Sequence, residues 1–177
     1  MLTIDARASA LLMIDFQAKL MPAIDRGEAV IANARRLSGA AAILGVPALF
    51  TEQNAKGLGP TVAELAPDAS LVVHKMAFDA CREPDFLPRL GEGRSLVVAG
   101  CEAHVCVLQT VLRLIEIGRR VFVVCDAIGS RRPESKETAI RRMEHHGAET
   151  VTAEMVVFEW LETAQHPRFR EVAALIR

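Results

Sequence analysis

A three-layer α/β/α fold on a six-stranded, mostly parallel sheet is what the sequence predicts. Three observations point there: short runs rich in Val, Ile and Leu, longer segments of helical period between them, and a length of 177 residues. A chain of that length buries roughly 70% of its extended-chain surface in one core. Residues 1–177 are therefore expected to form a single domain.

The first strand is expected at Ala8 to Phe16, an apolar run closed by Asp15. After it, Val30, Ala34, Leu37, Ala41 and Leu44 recur at helical spacing, and Gly45 can end that helix. The second strand is expected at Val46 to Thr51 and the third at Leu71 to Lys75. Two irregular stretches, Glu52 to Pro67 and Met76 to Pro88, carry the glycines and prolines of loops with short helices. Ser95 to Gly100 forms the fourth strand. The helix after it is expected from Val105 to Gly118, with Leu108, Val111, Leu112 and Ile115 inward and Arg113 and Glu116 outward. Arg120 to Asp126 is the fifth strand, and Pro133 opens a helix that ends at His145, His146 and Gly147. Those two histidines read as polar groups at a helix end. Thr150 to Thr152 completes the sheet.

Composition excludes several classes of function. The chain is 51% hydrophobic and 24% charged, with 21 Lys and Arg against 22 Asp and Glu, so no broad basic field exists for a phosphate backbone. Tyrosine is absent and aromatics make up 5%, which leaves little for base stacking. Nucleic acid is not an expected partner. No run of about 18 apolar residues could span a bilayer, and Met1 to Phe16 lacks a basic stretch ahead of its apolar segment. A cytoplasmic location follows, with no membrane partner, and Cys81, Cys101, Cys106 and Cys125 read as thiols rather than disulfides.

Ligands of open α/β sheets bind outside the carboxyl ends of the strands. Asp15, Lys75 and the Cys101 to Cys106 turn all fall there. Asp15 with Lys75 can be a structural ion pair or a site with tuned proton affinities. Cys106 lies where a strand turns into a helix, a position expected to lower a thiol pKa. Cys81, Cys101 and Cys125 are assigned as small buried hydrophobes. A nucleophilic thiol, an ammonium and a carboxylate together have the parts for acyl transfer.

Leu12-Met13-Ile14-Asp15-Phe16-Gln17, His74-Lys75 and Val98-Ala99-Gly100-Cys101-Glu102-Ala103-His104-Val105-Cys106-Val107 resemble the isochorismatase-like cysteine hydrolase superfamily over almost the whole chain. Gly57-Leu58-Gly59-Pro60-Thr61-Val62 with His104 to Thr110 is most similar to its small isochorismatase-domain proteins. The resemblance implies a Rossmann-like, isochorismatase-like hydrolase fold. It implies that Cys106 is the nucleophile, Asp15 the general base and Lys75 the cation that steadies the thiolate. It further implies a non-proline cis bond between Cys101 and Glu102, and an oxyanion hole from the backbone N–H groups of Glu102 and Cys106. The implied reaction is cleavage of a small amide C–N bond through a thioester, without a redox cofactor, in a protein that forms dimers or larger assemblies. Glu154 to Arg177 is a candidate contributor to self-association.

Two departures refine this. Nicotinamidases of the superfamily carry metal-binding Asp and His residues after the second strand, where this chain has Thr51-Glu52-Gln53-Asn54-Ala55-Lys56, so no metal is expected. Isochorismatase itself has no need of a nucleophilic sulfur, so Cys106 favours the amidase branch. Gln17, Phe78, Glu102, His104 and Val105 are candidate substrate contacts by adjacency to the triad. Two alternatives stand beside this reading: vinyl-ether hydrolysis of an isochorismate-like diacid, and a non-catalytic ligand-binding or interaction module on the same fold.

Overall fold

The computed structural model describes residues 2–176, so Met1 and Arg177, the ends of the expected domain, lie outside it. Six strands form one sheet: β1 (Ser9–Ile14), β2 (Ala48–Gln53), β3 (Val72–Lys75), β4 (Ser95–Cys101), β5 (Val121–Gly129) and β6 (Glu149–Val151). Their order is β3-β2-β1-β4-β5-β6, and every strand pair is parallel. Strand order reverses between β1 and β4, the position at which open α/β sheets form a ligand crevice.

Both faces of the sheet are covered, which is why the strands read as unbroken apolar runs rather than alternating ones. Side chains still alternate by face. Leu11 and Met13 of β1 join Phe50, Val97 and Phe122 in one core, whereas Ala10, Leu12 and Ile14 join Leu49, Val98 and Val123 in the other. The first core is closed by α1 (Gly27–Leu44) and α6 (Ala153–Leu161), which pack on each other and on β5, with α7 (Phe169–Ala173) beyond. The second is closed by α3 (Phe86–Leu90), α4 (Leu108–Glu116) and α5 (Pro133–His145). The remaining helix, α2 (Ala55–Leu58), is a single turn in the loop after β2.

The apolar stripe of α1 is buried at Val30, Ala34, Leu37 and Ala41, with Leu44 half-buried, and Gly45 ends the helix at φ +72°. On α4, Leu108, Val111 and Leu114 are buried, while Leu112 and Ile115 are only half-buried, and Arg113 pairs with Glu116 on the outer face.

Several boundaries differ from expectation. The first strand stops at Ile14 because Asp15 turns into the left-handed region at φ +52°. The second runs on to Gln53 because Glu52 and Gln53 pair with His74 and Lys75 of β3. The fifth continues to Gly129 past a register shift opposite Val98 to Gly100. Thr152, expected in the last strand, instead caps α6 by accepting a hydrogen bond from the Met155 N–H at 3.3 Å. The C-terminal segment packs within its own chain through Val156, Val157 and Trp160, and leaves Met155 and Phe158 exposed. No helix among the described residues is long and apolar enough to cross a membrane.

Candidate active site

Asp15, Lys75 and Cys106 meet at the carboxyl ends of β1, β3 and β4. Lys75 Nζ donates to Asp15 Oδ2 at 2.7 Å, and both side chains are fully shielded from solvent. The second Asp15 oxygen, Oδ1, accepts from Thr51 Oγ1 at 2.6 Å. Lys75 Nζ also donates to Gln53 Oε1 at 2.7 Å, with the carbonyl oxygens of Ala77 and Phe78 each 3.4 Å away. A buried ammonium and carboxylate are tolerated only when paired and hydrogen-bonded in this way.

Local geometry explains how the three arrive together. β1 and β4 approach so closely that a Cβ on Gly100, at φ +145°, would collide with the Ile14 carbonyl oxygen and sit 2.7 Å from Ile14 Cβ. Only glycine fits. The Cys101–Glu102 peptide is cis, and the chain then enters a π-helical turn, Ala103–Val107, before α4 begins at Leu108. The helix expected to begin at Val105 is thus displaced by one widened turn, and Cys106 sits inside it. Such turns recur at functional positions.

The Cys106 thiol is almost fully buried and lies where the charges of both Asp15 and Lys75 act on it. Its pKa is pushed up to about 12, first by burial and then by the Asp15 charge, against the opposing pull of Lys75. This corrects the expectation of a lowered pKa. The resting sulfur is a protonated thiol beside a carboxylate, because desolvation of the anion outweighs one nearby ammonium. Burial also raises Cys101, Cys81 and Cys125, and all four cysteines are unpaired.

The remaining predicted contacts are placed unequally around the triad. Gln17 is fully buried and its amide is consumed by the framework: Nε2 donates to the carbonyls of Gln53 and Gly59 at 3.0 and 2.6 Å, and Oε1 accepts from the Gln53 N–H at 2.8 Å. Phe78 exposes its ring and turns its carbonyl towards Lys75. Glu102 buries its carboxylate against Arg131, accepting from that backbone N–H and from Nε, each at 3.0 Å. His104 Nδ1 lies 2.9 Å from Ser130 Oγ, and Val105 is half-buried on the same turn.

Sequence reasoning missed Thr51, Gln53 and Arg131. The run Thr51-Glu52-Gln53 ends a strand adjacent to β1, so its inward polar residues had to face either Asp15 or Lys75. Among the described residues, no cluster of three or more His, Cys, Asp or Glu side chains could hold a metal ion. His145 and His146 end α5 with their rings edge to face at 5.4 Å.

Residues 9–155 match the model of the isochorismatase domain. The chain belongs to the isochorismatase family. Among its relatives, isochorismatase domain-containing protein 2 of Danio rerio is 34% identical over 98% of this chain and 89% of its own length. Two solved structures of the family's fold show the same architecture. One, described as the MAR1 ribonuclease of Caenorhabditis elegans, is 37% identical with a TM-score of 0.93 and spans 98% of this chain and 92% of its own. The other, the YcaC gene product of Escherichia coli, is described as an octameric hydrolase of unknown specificity. It is 28% identical with a TM-score of 0.92, covering 99% of this chain and 90% of its own.

Proposed function

We propose that this isochorismatase-family chain is a cysteine hydrolase that cleaves the C–N bond of a small amide through a thioester on Cys106. The observation that carries the reading is the sealed Asp15–Lys75 pair at 2.7 Å with a buried thiol against it. A structural ion pair has no need of a buried thiol beside it.

Because the resting sulfur is protonated, attack is base-assisted rather than made by a preformed thiolate. As the S–C bond forms, the thiol proton moves to the Asp15 carboxylate, and Lys75 compensates the negative charge that leaves it. The carbonyl oxygen becomes an oxyanion held by the N–H groups of Glu102 and Cys106, where one donor is worth about 3 kcal/mol. Protonated Asp15 then donates to the departing nitrogen, the C–N bond breaks and the amine leaves. Water attacks the thioester, Asp15 takes its proton, and the acid departs as that proton returns to sulfur. Thr51 keeps the carboxylate oriented through both transfers.

A small substrate fits this site better than the RNA named for the nematode relative. Asp15 and Lys75 have no exposed side-chain surface, and the chain carries a net charge of −1. Self-association, as in the Escherichia coli octamer, is consistent with exposed Met155 and Phe158 on α6. Four unpaired thiols suit a reducing cytoplasm.

The test is a panel of small amides, ureides, isochorismate and a short RNA, with intact-mass detection of an acyl adduct. The expected result is amide turnover, a covalent adduct in the parent protein, and loss of both in Cys106→Ala. Turnover that survives Cys106→Ala would falsify the thioester route and favour vinyl-ether hydrolysis. A folded protein that turns over nothing and forms no adduct supports the non-catalytic module.

A further inference from the structure

β2 lies between β1 and β3, so its polar side chains can reach both Asp15 and Lys75. Thr51 and Gln53, two residues apart, share one face of the strand, and each holds one member of the ion pair. Thr51 Oγ1 donates to Asp15 at 2.6 Å, and Gln53 Oε1 accepts from Lys75 at 2.7 Å. Glu52 between them turns the other way. Its carboxylate accepts from the Thr61 N–H and hydroxyl at 2.7 and 2.9 Å and lies 3.4 Å from His74 Nδ1. The acid of this segment is thus kept off the ion pair, and a neutral amide is set against it.

We infer that Gln53 is a positioning residue: it fixes the Lys75 ammonium so that the cation is in place for the Cys106 sulfur when the thiol proton passes to Asp15. The inference rests on the cysteine-hydrolase reading and extends it to a side chain that acts only through Lys75.

An ammonium has three N–H groups and no acceptor. Asp15 takes one and Gln53 a second, both at 2.7 Å. The third faces the carbonyl oxygens of Ala77 and Phe78, each at 3.4 Å, near the outer limit of a hydrogen bond. It is the donor freest to turn. Without Gln53 two donors are loose, and the ammonium settles on Asp15 and the loop carbonyls instead of serving the sulfur.

Gln53 itself is held from both ends. Its Nε2 donates to the Met76 carbonyl at 2.8 Å, which decides that the oxygen of the amide faces Lys75. Its backbone N–H and carbonyl are taken by the buried Gln17 amide at 2.8 and 3.0 Å. The result is a fixed, uncharged acceptor. It orients the ammonium without opposing a negative sulfur, as a carboxylate at the same place would.

Gln53→Met keeps the length of the side chain and removes the acceptor. Iodoacetamide reads the outcome: the Cys106 S–C bond forms, iodide leaves and the thiol proton passes to base. Rates are followed by peptide mass at Cys106, with half-buried Cys125 as reference. Over about pH 8 to 10, below the raised thiol pKa of about 12, the rate follows the ionised fraction. In Gln53→Met, labelling of Cys106 should fall about tenfold at every pH, the lower end of what a neighbouring charge is worth, with Cys125 unchanged. Gln53→Asn, one methylene short, should slow it about threefold or more and decides the matter if circular dichroism shows the methionine variant unfolded. Ser9→Ala loosens the sheet at the other end of β1, where Ser9 accepts from Trp160, and should leave the Cys106 rate in place.

A side chain that only packs gives the opposite sign, because loosening the site admits reagent to a buried thiol. Unchanged or faster labelling of Cys106 in a folded Gln53 variant, or an equal fall in Ser9→Ala, therefore overturns the positioning role and leaves the nucleophile standing. Cys106 inert in the parent protein while Cys125 reacts sinks the nucleophile and the positioning role together.

Discussion

Asp15→Asn should move two properties of Cys106 in opposite directions. After burial, the Asp15 charge is the largest influence raising this thiol, and Lys75 is the main one lowering it. Asparagine keeps the shape, with its one oxygen to accept from Lys75 and its amide N–H to donate to the Thr51 hydroxyl, but removes the charge, so sulfur faces an ammonium without a competing anion. A neighbouring charge in contact is worth about 1–3 pKa units. At pH 8 a thiol with a pKa of about 12 is ionised in about one molecule in 10^4. A fall of about two units raises that fraction to about one in 100, and iodoacetamide labelling at fixed pH should quicken about 100-fold. Amide turnover should fall by at least about 100-fold in the same variant, because the proton acceptor is gone. The assay is a pH series of labelling rates resolved at the Cys106 peptide, with circular dichroism to establish folding. Labelling that is unchanged or slower in a folded Asp15→Asn protein would refute the electrostatic account.

Lys75→Met strands a buried carboxylate on Thr51 alone and should cost about 3–5 kcal/mol in urea unfolding while driving the Cys106 thiol still higher; an unchanged midpoint would mean that Asp15 is not held as an ion. Gly100→Ala places a methyl group against the β1 backbone and should destabilise by about 3 kcal/mol or more, since backbone cannot step aside; a near-neutral melt would contradict the close approach of the two strands. Ser9→Ala removes the oxygen that accepts from Trp160 Nε1 at 3.0 Å and should cost about 1–2 kcal/mol, followed by fluorescence of the single tryptophan. Wild-type stability there would show that the indole N–H finds another acceptor.

The order of strands and helices was legible because parallel strands buried on both faces leave long apolar runs, and α1 writes its stripe at the expected spacing. The approach of Asp15 to Cys106 followed from strand ends converging on one rim and from family motifs. What escaped was anything set by the neighbouring strand. Gln53 belongs to β2 only because it pairs with Lys75, and the early stop of β1 depends on the left-handed turn at Asp15. The thiol's direction of shift departs from the sequence expectation for a related reason. Helix-end position can be read from a sequence, whereas depth of burial and the distance to a carboxylate 91 positions earlier cannot.

The side chains around the buried ion pair are drawn from separate lengths of polypeptide. Asp15 follows β1, Thr51 and Gln53 belong to β2 and Lys75 to β3, on one side of the crevice, and only the turn after β4 reaches across with Cys106. Arg131 sits on the opposite bank, in the short link between Gly129 and α5, and holds that turn through Glu102. A displacement of the link would therefore be passed towards the sulfur through a single carboxylate, while the ion pair stays moored to three strands.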